Sequence, residues 1–308
     1  MAILGIDFGG TRIRAGWFSP ELEMLAREET LSLVEQPIDA VIGRMLETAD
    51  KVVPAGAQIE AIGVSAPSPQ SYTGYIRNAA VVPHWVDVPL AKIISEAFGG
   101  ADVYMENDGN LAALAEYHMG AARGANPAVY ITVSTGIGGG VVIDGRLFTG
   151  RNGLAFEPGH IKYPAPDGSV QSLENFASGT AIGRIASRGL AESAEESVLR
   201  NAPFVTGKEV GAAAQQGDAF ALKVIEEAGW WLGLGLINVL QMYNPEVVVM
   251  GGSVSSMGDM IFDPARRVIQ QYIIDPIYYH DAIIQPALLG DDVCLIGAAS
   301  YARDNVYG

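Results

Sequence analysis

Residues 2–19, AILGIDFGGTRIRAGWFS, contain an apolar run, a glycine turn and a second strand-like run in immediate succession. The first run ends in Asp7, Phe8, Gly9 and Gly10, and apolar residues then recur in alternation with others. Apolar runs bounded by glycine predict strands, and a tight glycine turn between two of them predicts an antiparallel hairpin. The chain is therefore expected to begin with a β-hairpin.

The same arrangement returns at residues 128–148, AVYITVSTGIGGGVVIDGRLF, where a strand, a glycine turn and a second strand end in an Asp-Gly turn. Such a repeat predicts two related α/β lobes. We expect a small N-terminal lobe over residues 1–118 and a larger lobe over 119–294. The final helix, over about 295–308, is expected to return to the first lobe.

Between and after these two units the periodicity of apolar residues predicts the remaining elements. Helices are expected over 36–52 and 109–119, and strands over 59–67 and 101–106. Residues 151–180 are rich in Gly, Pro, Asn and Ser, which indicates an irregular loop with short helices. Further helices are expected beyond this loop, together with a strand in NPEVVVMGGSV, residues 244–254.

The composition is that of a well-cored globular protein, with 308 residues, 49% of them hydrophobic and 18% charged. Apolar runs such as WWLGLGLINVL, residues 230–240, are about half of the roughly 20 residues that a membrane span needs. The start of the chain lacks the basic and cleavage regions of a signal peptide. The single cysteine, Cys294, excludes an intrachain disulfide. We therefore expect a cytoplasmic protein with no membrane partner.

The charge balance bears on possible ligands, because 19 basic residues stand against 35 acidic ones, a formal net charge of −16. Such a field repels a nucleic acid, and no cluster of Lys and Arg offsets it. A bound nucleotide therefore needs a local site built from backbone N–H groups, a few cations and a metal ion. We expect no nucleic-acid partner.

The first glycine turn has the residues that such a local site needs. Gly9 and Gly10 allow the backbone to approach phosphate oxygens, while Thr11 and Arg12 can donate hydrogen bonds to them. Asp7 can hold a hydrated Mg²⁺. The second turn, STGIGGG at 134–140, offers similar chemistry but lacks the lysine of a Walker A loop. A third turn, at Gly251 and Gly252 after an apolar strand, can receive the flat face of a base.

The segment MENDGNLAALAE, residues 105–116, places Asp108 after a predicted strand and at the start of a predicted helix. An Asp in this position commonly caps the helix by accepting a backbone N–H. It also lies at the carboxyl edge of the predicted sheet, where α/β proteins bind ligands. From these residues alone, Asp108 can be either a helix cap or a catalytic residue.

Five motifs in this order resemble the ROK family of sugar kinases and repressors, within the hexokinase and actin-like ATPase superfamily. They are GIDFGGTRIRAG, MENDGNLAALAE, ITVSTGIGGGVVIDG, EPGH and NPEVVVMGGSV. The resemblance extends from Gly5 to the closing LIGAASYA. It implies a two-lobed, ribonuclease-H-like α/β fold with sugar and ATP in the cleft between the lobes, and it implies a homodimer.

The resemblance also implies roles for individual residues. Asp108 matches the general base that accepts the proton of the sugar hydroxyl during phosphoryl transfer. Residues that match sugar-binding positions are Asn107, Glu157, His160, Glu174 and Ser68. Residues that match the nucleotide and phosphate positions are Asp7, Gly9, Gly10, Thr11, Arg12, Thr135, Gly136, Gly138, Gly251 and Gly252.

The sequence departs from the family pattern in two places. Many members carry three zinc-binding cysteines between the motif of His160 and the later Glu174, whereas this chain has none there, so we expect no structural zinc. In the first lobe, Ser68 replaces a glycine, and Val81 replaces an asparagine that usually contacts the sugar. Loss of a buried amide that pairs with a hydroxyl can change discrimination by up to roughly 10⁴-fold. The acceptor sugar is therefore open.

The leading hypothesis is an ATP-dependent kinase of a free hexose or related sugar, acting on the 6-hydroxyl. A non-catalytic sugar-binding protein, a kinase of an N-acetylated sugar and a polyphosphate-dependent kinase are the alternatives, although the net charge of −16 disfavours a polyphosphate. Repressors of the family carry a helix-turn-helix segment before the first glycine motif. Because that motif here begins at Gly5, we expect no repressor function.

Overall fold

The structure, a computed structural model, describes residues 2–67, 71–77, 79, 81–165 and 167–307. Strands and helices alternate along the chain, as in an α/β protein. The strands are β1 (Ala2–Phe8), β2 (Arg12–Phe18), β3 (Met24–Leu31), β4 (Ile59–Ser65), β5 (Val103–Glu106), β6 (Ala128–Val133), β7 (Ile137–Ile143), β8 (Arg146–Leu147), β9 (Lys162–Pro164), β10 (Val170–Ser172), β11 (Val247–Gly251) and β12 (Ile284–Pro286). The helices are α1 (Ile38–Asp50), α2 (Leu90–Ala97), α3 (Asp108–Met119), α4 (Glu174–Ala177), α5 (Gly179–Glu192), α6 (Gly207–Gln215), α7 (Ala219–Tyr243), α8 (Asp259–Tyr272) and α9 (Val293–Tyr307).

Contacts between residues divide the chain into two compact units. The first consists of Met1–Gly124, Gly140–Ala155 and Leu288–Gly308, and the second of Ala125–Gly139 and Phe156–Ala287. The units are therefore interleaved along the chain. The division into domains at residues 118 and 119 stays a prediction.

The first unit is built on a five-stranded sheet with the order β3-β2-β1-β4-β5. The central strand β1 pairs antiparallel with β2 and parallel with β4, and every one of its residues is buried. Complete burial is expected of a strand that is covered on both faces. The register places Asp7 directly between Arg14 of β2 and Ser65 of β4.

Two hydrophobic clusters cover the two faces of this sheet. On one face, Ile6 and Phe8 belong to a cluster with residues of α1 and α2, including Met45 and Ile94. On the other face, residues of α9 pack against Ile3 and Phe18. Helix α9 comes so close to β4 that a Cβ on Gly63 would overlap the carbonyl group of Ala298. Glycine is therefore required at this contact.

The second sheet has the order β12-β11-β6-β7-β8, with β11 parallel to both β6 and β12. The helices of the second unit include α7, which has 25 residues and packs against α8. Gly229 and Gly233 lie one turn apart on α7 and face carbonyl oxygens of α8, to which an added Cβ would come within 2.6 and 2.7 Å. Small residues thus allow the two helices to pack closely.

The structure confirms the predicted N-terminal hairpin as β1 and β2, and it confirms the helices and strands predicted before residue 120 as α1, β4, β5 and α3. It adds β3 and α2, which the sequence analysis did not predict. The stretch predicted as an irregular loop with short helices contains α4 and a two-stranded antiparallel sheet of β9 and β10.

Candidate active site

Asp7 lies in the interior of the first unit, with only 6% of its surface exposed. Its Oδ2 accepts a hydrogen bond from Nη1 of Arg14 at 3.0 Å. Burial raises the pKa of the Asp7 carboxyl, and the guanidinium of Arg14 partly offsets this effect. The negative charge of Asp108 also raises the pKa of Asp7, as the smallest of the named effects.

The glycine turn after β1 is tight, since the N–H of Gly9 donates to the carbonyl oxygen of Arg12 at 2.9 Å. Gly10 faces the side chain of Val81, to which an added Cβ would come within 3.1 Å. The exposed side chain of Arg12 forms an ion pair with Glu29 of β3. In this conformation the arginine is therefore held by a carboxylate of its own sheet. Thr11 is exposed beside it.

Asp108 is the first residue of α3, but the helix is capped by its neighbour. Asn107 is the N-cap, and its side-chain oxygen accepts the N–H of Asn110 at 2.8 Å. Asp108 also contributes to this end of the helix, since its Oδ1 accepts the N–H of Gly109 at 2.9 Å. Asn107 therefore takes the N-cap position of α3, and catalysis by Asp108 stays a prediction.

The carboxyl of Asp108 is exposed to solvent but crowded by protein atoms. The resulting desolvation raises its pKa above the ordinary value for Asp, and the N–H of Gly109 partly counteracts this. A raised pKa makes the carboxylate a stronger base, which is a property that general bases in enzymes share.

Glu106 supports the turn that carries Asn107 and Asp108. This carboxyl is 1% exposed, and its Oε1 accepts the N–H of Asn107 at 2.8 Å and the side-chain amide of Asn110 at 3.3 Å. Burial raises its pKa, and the two hydrogen bonds partly lower it. Glu106 is not among the functional residues predicted from the sequence, although it immediately precedes the predicted pair Asn107 and Asp108.

The second unit contains a cavity of about 830 Å³, within the range of roughly 300–1,000 Å³ that is usual for small-molecule sites. Its walls come from the glycine loop after β6, the first turns of α5 and α6, and the turn after β11. The residues that line it are Ser134, Thr135, Gly179, Thr180, Gly183, Arg184, Val205, Thr206, Gly207, Lys208, Gly211, Ala212, Gln215, Ser253, Val254, Ser256 and Met257.

Two helix N-termini contribute to this cavity, and their backbone N–H groups and dipoles favour an anion there. Helix α5 is capped by Ser178, and α6 is capped by Thr206 in a capping box with Glu209. Glycines bring the two helices together, since a Cβ on Gly183 would lie 2.8 Å from Cα of Thr206. This wall was not predicted from the sequence, because neither helix carries a signal that the two N-termini converge.

Of the residues predicted for the nucleotide, Thr135 lines the cavity, whereas Gly251 and Gly252 shape the turn behind it. Gly252 has a φ of 88°, a conformation that favours glycine. An added Cβ there would overlap the carbonyl oxygen of Val133. The residues that reach the cavity from this turn are Ser253, Val254, Ser256 and Met257.

The glycine loop between β6 and β7 is held at both of its ends. The carbonyl oxygen of Ser134 accepts the N–H of Gly179 at 2.7 Å, and Oε2 of Glu174 accepts the N–H of Ile137 at 2.9 Å. Gly136 lies directly beside the carboxylate of Glu174. Gly138, in contrast, makes no such close contact, since an added Cβ would meet its nearest atom at 3.7 Å.

The predicted sugar-binding residues of the second unit are close to this loop. Glu157 and His160 are exposed and bracket a short 3-10 turn, in which the N–H of His160 donates to the carbonyl oxygen of Glu157 at 3.0 Å. Gly159 of this turn packs against Ile137. Ser68, the remaining predicted sugar contact, lies outside the described residues.

Comparison with known proteins agrees with this geometry. A ROK hexokinase from Thermus thermophilus is 33% identical, with a TM-score of 0.83 and 99% of each chain covered. A ROK family glucokinase from Streptomyces griseus in complex with glucose and AMPPNP is 30% identical, with a TM-score of 0.80 and 99% of this chain and 100% of that chain covered. The fold is therefore the two-lobed α/β fold of the actin-like ATPases.

The model of the ROK family matches residues 3–305. A glucokinase from Thermotoga maritima is 32% identical over 318 aligned residues, which cover 100% of this chain and 99% of that protein. The chain belongs to the ROK family.

Two further findings concern the described residues alone. Among them, no helix is both long and apolar enough to cross a membrane. In the same part of the chain, no three or more His, Cys, Asp or Glu side chains form a group that could hold a metal ion by themselves.

Proposed function

We propose that this chain is an ATP-dependent sugar kinase that transfers the γ-phosphoryl group to the 6-hydroxyl of a free hexose. The observation that carries this proposal is the similarity, over 99% of the chain, to a ROK family glucokinase in complex with glucose and AMPPNP. The glucokinase from Thermotoga maritima, similar over the whole chain, supports the same reaction.

In the proposed mechanism Asp108 is the general base. Its carboxylate accepts the proton of the sugar hydroxyl while the hydroxyl oxygen attacks the γ-phosphorus. The raised pKa of Asp108 supports this role, because a more basic carboxylate is a better proton acceptor. Asn107 caps α3 and keeps the adjacent carboxyl in place. Sugar hydroxyls would be held by Asn107, Glu157, His160, Glu174 and Ser68.

The nucleotide would occupy the cavity of the second unit. The first turns of α5 and α6 and the hydroxyl of Thr135 supply donors for phosphate oxygens, and the apolar parts of Val254 and Met257 suit a base. Further phosphate contacts are proposed for the backbone of the two glycine loops, together with Thr11 and Arg12. The glycines concerned are Gly9, Gly10, Gly136 and Gly138, with Gly251 and Gly252 behind the base.

The residues present fit a magnesium ion that is bound mainly by the nucleotide. Mg²⁺ usually takes one or two carboxylates and completes its shell with phosphates and waters, so a single protein carboxylate is sufficient. Asp7 would provide it, directly or through water, with its carboxylate held in place by the hydrogen bond from Nη1 of Arg14 to Oδ2. Mg²⁺ supplies neutralisation of the charge on the β- and γ-phosphate oxygens.

Several finer points remain proposals from the family resemblance. They are a homodimer, a cytoplasmic location and a loop around His160 that needs no structural zinc. The proposed acceptors are hexoses, with N-acetylated hexosamines as the alternative.

The test is a coupled assay of ADP release with Mg²⁺ and ATP against glucose, mannose, fructose, allose, N-acetylglucosamine and N-acetylmannosamine. Turnover on at least one sugar is expected. A parallel assay replaces ATP by polyphosphate and measures the sugar phosphate formed. Absence of turnover with ATP on every sugar contradicts the proposed function, and turnover with polyphosphate alone identifies a different phosphoryl donor.

A further inference from the structure

Glu174 is the first residue of α4, and its carboxylate points toward the backbone of the glycine loop. Its Oε2 accepts the N–H of Ile137 at 2.9 Å, at the point where the loop becomes β7. This approach depends on Gly136, because a Cβ there would overlap the same oxygen. The contact therefore depends on two residues, the carboxylate of Glu174 on α4 and Gly136 in the loop.

The short helix α4 is itself anchored, so that it can hold the loop in place. The carbonyl oxygen of Asn175 accepts a hydrogen bond from Nη2 of Arg184 at 2.6 Å, and the side chain of Asn175 donates to Gln171 at 2.8 Å. Just beyond the end of α4, the N–H of Gly179 donates to the carbonyl oxygen of Ser134. The segment 174–179 thus binds the first and the last residue of the loop 134–137.

Ile137 also contacts the turn that carries His160. A Cβ on Gly159 would overlap the carbonyl oxygen of Ile137, so this turn lies directly against the strand. One residue of the loop is consequently in contact with both elements that carry the proposed sugar ligands of the second unit. Thr135, two residues earlier, lines the cavity proposed for the nucleotide.

We propose that Glu174 is a positioning residue for the phosphate loop, and that it couples sugar binding to nucleotide binding. This inference rests on the proposed function. A carboxylate has two oxygens, and with Oε2 on the N–H of Ile137, Oε1 is left to accept a sugar hydroxyl. A hydroxyl on Oε1 immobilises the carboxylate and with it the loop. The sugar therefore increases the affinity for the nucleotide, and by linkage the nucleotide increases the affinity for the sugar equally.

Charge repulsion and loop positioning predict opposite effects of removing Glu174 on the affinity for the nucleotide, so an experiment can distinguish them. A negative charge beside a phosphate loop repels the nucleotide, so its removal should strengthen nucleotide binding if charge alone mattered. If Glu174 positions the loop, its removal should weaken nucleotide binding instead. Glu174→Gln removes the charge but keeps a carbonyl oxygen for the N–H of Ile137, whereas Glu174→Ala removes both.

The experiment measures the affinity for Mg²⁺-AMPPNP by isothermal titration calorimetry in the absence of sugar. We expect Glu174→Gln to bind within about twofold of the wild type and Glu174→Ala to bind at least about fivefold more weakly, since the loss of an ordered loop acts on every phosphate contact. Glu192→Ala is the matched control, because it removes an exposed carboxylate at the end of α5, away from the residues that line the cavity, and its affinity for the analogue should not change.

A second measurement distinguishes a loss of order in the loop from a wider loss of structure in a variant. Hydrogen exchange of the peptide that contains residues 134–138 should be faster in Glu174→Ala and unchanged in Glu174→Gln, while exchange of the strands β1 and β4 stays the same in both. Titrations repeated with the sugar identified in the turnover assay should show tighter analogue binding in the wild type and no such gain in Glu174→Ala.

The inference is overturned if Glu174→Ala binds the analogue as tightly as the wild type, or more tightly, with unchanged exchange at residues 134–138. It is also overturned if Glu174→Gln and Glu174→Ala behave alike. These outcomes do not depend on whether the protein is a sugar kinase, because AMPPNP can bind without turnover. A wild type that phosphorylates no sugar disproves the kinase, but the order of the three affinities still decides the role of Glu174.

Discussion

Glu106 Oε1 lies 2.8 Å from the backbone nitrogen of Asn107, so the last residue of β5 holds the turn from which Asp108 begins α3. The same oxygen accepts the side-chain amide of Asn110, one helical turn farther on. A buried carboxyl thus joins the end of a strand to the start of the following helix. The position of Asp108 therefore depends on this junction and also on the N-cap Asn107.

The first prediction concerns the stability that Glu106 provides. Glu106→Ala leaves the N–H of Asn107 and the amide of Asn110 without their acceptor, and should lower the free energy of unfolding by about 2–3 kcal/mol. Glu106→Gln keeps an acceptor oxygen. Because the folded-state pKa of Glu106 is raised, the stabilising form is the protonated one, and its contribution is lost as the pH rises through that pKa. Glu106→Gln should therefore be at least as stable as the wild type at neutral pH.

Urea unfolding at pH 6 and pH 8 measures both effects, and the advantage of Glu106→Gln over the wild type should not shrink at the higher pH. The control is Glu96→Gln, in which an exposed carboxyl of α2 is neutralised. It should change the free energy of unfolding by no more than about 0.5 kcal/mol. A Glu106→Ala variant as stable as this control contradicts the proposed junction.

The second prediction concerns catalysis by Asp108. Asp108→Asn keeps the size of the side chain but removes the proton acceptor, so kcat should fall by about 10²- to 10⁴-fold. Binding of AMPPNP, measured by calorimetry, should change little. Asp102→Asn, which alters an exposed Asp just before β5, serves as the control and should retain full turnover. Equal rates for Asp108→Asn and Asp102→Asn are incompatible with a general base at Asp108.

The third prediction concerns pH. The carboxylate is the active form of Asp108, and its pKa is raised, so kcat/KM should begin to fall at a higher pH than an ordinary Asp permits. A profile of kcat/KM measured at saturating Mg²⁺-ATP tests this. A profile that stays flat down to about pH 4, near the ordinary pKa of Asp, is inconsistent with the crowding around the carboxyl. The raised pKa also means that the neutral side chain introduced by Asp108→Asn costs no stability at neutral pH.

Candidate site residues could be predicted from the sequence because they stand at or just after the ends of strands, and their roles stay predictions. Asp7, Asp108 and Thr135 each stand where an apolar run gives way to a glycine or a helix, and this local signal is enough to predict a ligand site. The order of the motifs was also sufficient to predict the family and the fold. Glu106 was not identified, because its role depends on a buried hydrogen bond that no spacing of residues reveals.

The cavity wall shows what the sequence could not predict. Helices α5 and α6 were expected from their composition, but their ends converge only through close contacts such as that between Gly183 and Thr206. Likewise β3 has four apolar and four polar residues and is mostly exposed, so it lacks the pattern of a half-buried strand. Helix α2 is amphipathic but has only eight residues, fewer than a sequence pattern needs to predict a helix. These features follow from tertiary packing.

The fourth prediction concerns the contact between β4 and α9. Gly63→Ala places a Cβ on the backbone of Ala298, and since neither backbone can move easily, the free energy of unfolding should fall by about 3 kcal/mol or more. Gly43→Ala is the matched control, because this glycine lies inside α1 with no atom within 4 Å of an added Cβ. It should stabilise the protein by about 0.5–1 kcal/mol. A Gly63→Ala protein with the stability of the wild type contradicts the close packing of α9.

The last prediction concerns Cys294, the only cysteine of the chain. Its Sγ lies 3.7 Å from the carbonyl oxygen of Asp108. The pKa of the half-buried thiol is raised well above the usual range, first by desolvation from the surrounding protein atoms and then by the charges of Asp7 and Asp108. Since the thiolate is the reactive form, a disulfide reagent such as DTNB should react with the folded protein at least about tenfold more slowly than with the urea-unfolded chain at the same pH. Asp108→Asn should accelerate this reaction, because it removes one of the negative charges, whereas Asp102→Asn should leave the rate unchanged. A folded thiol that reacts as fast as the unfolded one contradicts the raised pKa of Cys294. Equal reaction rates in Asp108→Asn and Asp102→Asn attribute the slow reaction to desolvation alone and not to the charge of Asp108.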